Sequence, residues 1–293
     1  MKKITVRLVG GLGNQLHCYA FGRAVAGNSD TPLEVDVESG YWNDPYGRKY
    51  MLDAFPALNI NKKKLPKTGT GRFIFRAKLK FGAALLSKLP LEIRPIVREG
   101  HPRGYREDVH RKRYKINPYF MGYWASYRYY QDIAEDLRRD LVPPRPHTPA
   151  AICMLKEITS ARSCFIHWRS YAEEIGVPHP SLAGYYHSAV YLIERKYPGI
   201  RFFIFSDDVA AARKELMSLG DKMIFVDIPE AGDQCLNDFY LMYSCGHAIV
   251  SDSTFSWWAA WLGDRKTKTV TAPRGLSPWG EDWTPPHWIT VDT

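Results

Sequence analysis

Four short stretches of this sequence concentrate side chains able to grip a phosphorylated ligand. His167-Trp168-Arg169 closes an apolar run that begins at Cys164. Residues 167 and 169 would share one face of a strand, so an imidazole and a guanidinium can converge on one ligand. Arginine supplies a permanently charged planar fork suited to pyrophosphate oxygens. Ser206-Asp207-Asp208 follows RFFIF directly. An aspartate just past a strand accepts the N1–H and exocyclic amine of a guanine, or caps the helix that begins there, and one of these two is expected to cap. In Ser251-Asp252-Ser253-Thr254-Phe255-Ser256 an ordinary N-cap accounts for Asp252 or Ser253 but not for the density of hydroxyls; helix-start amides and hydroxyls together make an anion cradle. Gly10-Gly11-Leu12-Gly13-Asn14-Gln15 allows close backbone approach to a phosphate or sugar at Gly11 and Gly13. It is neither G-x-G-x-x-G in register nor a Walker A loop. A tight structural turn and a ligand loop both fit, and the Asn14-Gln15 pair at the helix start favours the loop. Glu173, Glu174 and His179 add acid/base capacity, or form a wet loop.

No H-E-x-x-H, D-x-D or clustered Cys/His spacing occurs, so no metal is expected. Arginine and helix dipoles would then neutralise a leaving diphosphate, as metal-independent glycosyl transfer requires.

These stretches need strands that end in turns and helices that begin there. Residues 4 to 9 alternate as a strand, GGLGNQ turns, and LHCYAFGRAVAG repeats apolar residues at helical spacing. A second strand is expected at 32 to 37, and GYWASYRYYQDIAEDLRRDLV (122 to 142) reads as a helix stopped by PPRPHTP. Strands at 164 to 168, 201 to 206, 223 to 228, 247 to 252 and 269 to 273 then alternate with helices at 181 to 197, 208 to 219, 235 to 245 and 255 to 263. Such alternation predicts a doubly wound parallel sheet. The prolines set the expected boundary between residues 1–149, an N-terminal α/β domain, and 150–293, a Rossmann-type domain.

The 293 residues carry a net charge of +9, which favours a polyanionic partner. Residues 61 to 120 hold seventeen Lys/Arg against four Asp/Glu, so this basic insertion outweighs the whole chain's surplus. Within it RFIFRAKLKFGAALLSKLP fits an amphipathic helix, either a solvated face or one that contacts an anionic membrane. A nucleic-acid-binding protein is the rival from another class, but that reading leaves the four strand-end motifs unexplained; a GDP-sugar transferase of other regiochemistry or donor is the nearer rival. Five scattered cysteines without C-x-x-C spacing suggest a reducing cytoplasm. The first residues break too early for a signal peptide, and no run approaches the ~20 apolar residues of a span.

Taken together, GGLGNQLHCYAFGRA, GYWASYRYYQDI, FIHWRS, FFIFSDD and DSTFSWWAAWLG resemble the motifs of glycosyltransferase family 11, the α-1,2-fucosyltransferases. The resemblance covers most of the chain outside residues 60 to 117, and its last motif is the most specific. It implies a GT-B-like α/β architecture of two Rossmann-type halves with parallel sheets, the donor site mainly in the C-terminal half. It also implies no metal or other cofactor and inverting transfer of L-fucose from GDP-fucose, to O2 of a terminal galactoside in an oligosaccharide or lipid-linked glycan. By position, Arg169 would hold the β-phosphate, and His167 with Asp207 or Asp208 would contact the guanosine. Ser253, Thr254 and Phe255 would line the diphosphate cradle, and Gly13 with Asn14, beside Gly11, would approach the pyrophosphate or fucose. Two departures stand out. Arg169 continues into Ser170-Tyr171-Ala172-Glu173 where the family has Arg-Gly-Asp-Tyr, leaving Glu173 or Glu174 as candidate base, and Asp252 replaces the customary Asn. The expected setting is cytoplasmic, with peripheral contact at an anionic membrane face and no nucleic acid.

Overall fold

The structure, a computed structural model, describes residues 2–170, 182–228, 234–275 and 279–293. The chain divides into two compact units: Met1–Asp140 with Trp279–Trp283, and Leu141–Pro278 with Thr284–Thr293.

The first unit opens with β1 (Ile4–Arg7), the Gly-rich turn, α1 (Leu12–Asn28) and β2 (Leu33–Asp36). Nearly every residue of α1 from Leu12 to Ala26 is buried, so its apolar residues do not keep to one stripe. Gly22 lets it lie close on the sheet, because a Cβ there would stand 2.8 Å from Val6 Cγ1. Next come α2 (Gly69–Leu85), β3 (Ile96–Arg98), the short α3 (Glu107–His110), β4 (Tyr119–Met121) and α4 (Ala134–Asp140). The sheet runs β2-β1-β4-β3, parallel throughout. The basic stretch 61 to 120 therefore supplies α2, β3 and β4, two of the four strands. These strands are three residues long and flanked by cations, which hides them from a periodicity argument.

The expected helix over 122 to 142 is corrected. Only Ala134–Asp140 is α-helical, preceded by 3₁₀ turns at Tyr127–Tyr129 and Gln131–Ile133. The buried Glu99 carboxylate accepts the backbone N–H groups of Tyr123 (2.8 Å) and Trp124 (2.9 Å). Trp124 is held at φ +55 and its ring stacks on Phe21 at 4.2 Å, so tertiary contacts override a helical pattern here.

The second unit contains α5 (Pro149–Ser160), β5 (Ser163–Trp168), α6 (Ala183–Lys196), β6 (Arg201–Ser206), α7 (Val209–Leu216), β7 (Met223–Phe225), α8 (Gln234–Ser244), β8 (His247–Ile249), α9 (Thr254–Leu262), β9 (Val270–Pro273) and β10 (Ile289–Val291). Helix α5 begins where the prolines end: Thr148 caps it and Pro149 sits where no amide donor is needed. The six strands are ordered β10-β9-β8-β5-β6-β7, and every pairing is parallel. Both faces of the central strand β5 are covered, as its lack of apolar/polar alternation anticipates. Tyr185, Tyr186, Ala189 and Ile193 of α6 pack with Ile166, Phe202 and Ile204. Trp257 and Trp258 of α9 are wholly buried. The chain winds outward from β5 through β6 to β7, then returns to place β8 on the other side of β5. A crevice between the carboxyl ends of β5 and β8 follows from that reversal, and such switch points are where open α/β sheets bind ligands.

Candidate active site

The switch point brings together residues from three strand ends. His167, the next-to-last residue of β5, is 5% exposed. Its Nδ1 lies 3.0 Å from the hydroxyl of Ser251, just beyond β8. Ser251 and Ser256 hydroxyls are 3.4 Å apart, and Ser256 Oγ donates to Ser253 O at 3.3 Å. Tyr186 OH fixes the strand end from α6 by donating to His167 O at 2.9 Å. Burial first, and then the Arg169 charge, push the imidazole down to about 3 against a weaker opposing effect of Asp207, so His167 is neutral at physiological pH.

Strand β5 ends at Trp168, so Arg169 lies just past it. Its Nη1 meets Asp207 Oδ2 at 3.2 Å, with side chains about a quarter exposed on both sides. Asp207 also accepts from Ser170 N (2.9 Å) and Ser170 Oγ (3.1 Å). The loop after β5 is thus tied to the loop after β6. Asp208 is the capping member of the pair: it is the N-cap of α7 and accepts from Ala211 N at 2.9 Å.

At the start of α9, Ser253 is the N-cap and accepts from Phe255 N at 3.3 Å. Asp252 is 2% exposed, and the Thr254 hydroxyl has no hydrogen-bond partner among the described residues. The Phe255 ring lies 5.8 Å from His167 and 5.2 Å from Phe239. Of the four hydroxyls read as a cradle, Ser251 and Ser256 brace His167, Ser253 caps, and Thr254 stays available beside the helix-start amides. An anion is the species such a helix start favours.

The Gly-rich turn belongs to the first unit, at the carboxyl end of β1. Gly11 is the N-cap of α1, and a Cβ on it would meet nothing within 4 Å. Gly10 takes φ +73, and a Cβ there would lie 2.5 Å from Asn14 Nδ2. Gly13 is buried in the first turn of α1 and Asn14 is half-buried. Gln15 is fully buried and structural: its Nε2 donates to Gly10 O (3.0 Å) and Lys49 O (2.8 Å), and its Oε1 accepts from Met51 N (2.9 Å). Asn14 is thus the member of the pair left to face a ligand.

Glu173, Glu174 and His179 lie outside the described residues. Among the described residues no group of three or more His, Cys, Asp or Glu side chains converges as a metal site. One carboxylate escapes a reading by motif. Asp238, in the second turn of α8 beside Phe239, is pushed up to about 7 by burial first and by the Asp227 charge second. Its sequence signal is an acid next to Asn237 inside the largely apolar stretch LNDFYLM.

Comparison with known proteins bears on this arrangement. The family model described as glycosyl transferase family 11 matches residues 179–289, a span that includes α8, β8 and the cradle at α9. The chain is a glycosyltransferase, similar over 100% of both lengths and at 27% identity to an alpha-1,2-colitosyltransferase of Escherichia coli. It is also 33% identical over 90 residues, 31% of this chain and 29% of the other, to the O-antigen biosynthesis glycosyltransferase WbnK of Escherichia coli. Among solved structures, NodZ alpha-1,6-fucosyltransferase soaked with GDP-fucose aligns over 89% of this chain and 92% of its own, with TM-score 0.50 and 16% identity. The architecture is the GT-B-like α/β fold with two parallel sheets.

Proposed function

We propose that this glycosyltransferase moves L-fucose, or a closely related 6-deoxy sugar, from its GDP-linked donor to O2 of a terminal galactoside, with inversion and without a metal. The observation that carries the reading is Arg169, anchored by Asp207 beside the neutral His167 and the hydroxyl-rich start of α9. In this mechanism the acceptor hydroxyl attacks the anomeric carbon as the bond from that carbon to the β-phosphate oxygen breaks. The electron pair leaves with GDP, and its charge is met by the Arg169 guanidinium, the helix-start amides near Thr254 and the Thr254 hydroxyl. Neutral His167 hydrogen-bonds the nucleoside without adding charge, and Asp207 or Asp208 accepts from the guanine edge. Asp207 also holds the arginine fork in place, and Phe255 shapes the cradle. A carboxylate after Arg169, Glu173 or Glu174, takes the acceptor proton. The scattered cysteines without C-x-x-C spacing favour a cytoplasmic setting, where a sugar nucleotide and a lipid-linked or free galactoside meet.

A second reading changes only the sugar. Colitose is fucose without its 3-hydroxyl, and the full-length likeness to an alpha-1,2-colitosyltransferase supports GDP-colitose as donor. The test incubates the full chain with GDP-fucose or GDP-colitose, in EDTA, with a panel of galactosides, and determines product linkage and anomeric configuration by NMR. An α-1,2 product resistant to EDTA is expected. No product from either donor, together with no calorimetric affinity for GDP, would overturn the proposal.

A further inference from the structure

Helix α2 buries one face and leaves a second apolar face open. Leu79 and Ala83 pack against Ile96 and Tyr119, with Phe75 and Met121 at the edge of the cluster. On the other side Phe73 (71% exposed), Ile74 (61%), Phe81 (67%) and Leu85 (81%) stand in solvent. At 100° per residue these four, with Ala77 and Ala84, fall within an arc of about 120° opposite Leu79 and Ala83. A contiguous exposed ridge of large apolar side chains marks an interaction surface more often than chance.

The charges around the ridge select its occupant. Between Asp53 and Glu92 the sequence has nine Lys or Arg and no Asp or Glu. Arg76 and Lys80 flank the ridge on one side, Lys78 lies on the other, Lys88 follows the helix end, and Arg72 leaves from the covered side. Arg72 lies over the Trp42 ring and Lys80 over the Phe81 ring, and none of the five joins an ion pair among the described residues. A nucleic acid would use the cations and could stack on the phenylalanines, but would leave Ile74 and Leu85 wet. A protein partner would need carboxylates placed against cations on both sides of the ridge. A bilayer surface satisfies both features at once: apolar side chains enter the acyl boundary, and cations on long stems stay at the headgroup phosphates.

We propose that α2 is an interfacial helix by which this protein docks on an anionic phospholipid membrane, inserting Phe73, Ile74, Phe81 and Leu85. The inference stands apart from the identity of the donor, since it concerns a surface of the first unit alone. Among the described residues no helix is long and apolar enough to cross a membrane, so the contact is peripheral.

The test is cosedimentation of the full chain with vesicles of phosphatidylcholine alone or with about one-third phosphatidylglycerol, at about 0.1 M salt. Binding to the anionic vesicles, little binding to the neutral ones, and weakening at high salt are expected. Phe73→Ser with Phe81→Ser should reduce partitioning at least tenfold on the basis of apolar area alone. Lys78→Gln with Lys80→Gln should reduce it about fivefold per charge. Both pairs should keep the wild-type Tm and turnover of a water-soluble acceptor, because the altered side chains are exposed. No binding to anionic vesicles, or binding that neither pair alters, would overturn the proposal. So would a wild-type self-association that Phe73→Ser with Phe81→Ser abolishes, or RNA retention that survives when vesicle binding is absent.

Discussion

Replacing Arg169 by Lys keeps the charge and removes the fork, which makes it the sharpest probe of the site. The guanidinium stands 3.2 Å from Asp207 through Nη1, and its planar array of five N–H donors matches the spacing of two phosphate oxygens. A lysine ammonium is a point charge that cannot present two parallel N–H bonds to a diphosphate while held by Asp207. One charge-assisted hydrogen bond is worth about 1.5–3 kcal/mol, and about 1.4 kcal/mol is tenfold in rate. R169K should therefore lower kcat/KM for the donor by roughly 10- to 150-fold. Because the pair is about a quarter exposed, its own contribution to stability lies nearer that of a surface pair, about 1 kcal/mol or less, so the fold should survive. The assay pairs steady-state kinetics at varied donor concentration with calorimetric titration of GDP and a thermal melt. Asp207→Asn in the same series separates the roles: it should weaken GDP binding less than R169K while lowering kcat, because the fork remains but loses its anchor. An R169K enzyme within twofold of wild type in both GDP affinity and kcat/KM would refute the assignment of Arg169 to the diphosphate.

Three further outcomes follow from the same geometry. Ser251→Ala leaves His167 Nδ1 buried without its 3.0 Å partner, so a loss of about 1–3 kcal/mol in urea melts is expected, with the imidazole remaining neutral by NMR down to pH 5. The His167 imidazole is held down to about 3 in the folded chain and rises to its ordinary value on unfolding, so its contribution is present above about 6.5 and is lost as pH falls. Asp238 has the opposite sign: with its carboxyl raised to about 7, wild type should lose about 2 kcal/mol between pH 5.5 and 8, and Asp238→Asn should flatten that slope in urea melts. Gly10→Ala forces a side chain into φ +73 and to 2.5 Å from Asn14 Nδ2; a destabilisation of about 1–3 kcal/mol is expected, partly relieved by Asn14→Ala.

The second unit was legible in the sequence because its strands are buried on both faces and its helices start at capped turns. CFIHW, RFFIF and HAIV are mostly apolar runs, and they are β5, β6 and β8 almost to the residue. The first unit was legible only as far as β2. Its β3 and β4 are short, lie among cations and carry no alternation, and the turn after β4 is set by Glu99, a residue more than twenty positions away in sequence.

Within the site the sequence determined chemical type and the tertiary structure decided which atoms are free. Residue identity alone placed a guanidinium, an imidazole, two carboxylates and a run of hydroxyls at strand ends, because strand-to-helix punctuation is a local property. Which aspartate caps α7, which hydroxyls are consumed in bracing His167, and that Gln15 staples a loop while Asn14 does not, depend on partners that the fold brings from 34 to 84 residues away. A hydrogen bond satisfies one group by removing it from the list of available ones, and that bookkeeping exists only in three dimensions. The same holds for α2, whose helical period was plain in the sequence. Only the packed structure shows that one of its faces is already covered and the other is not.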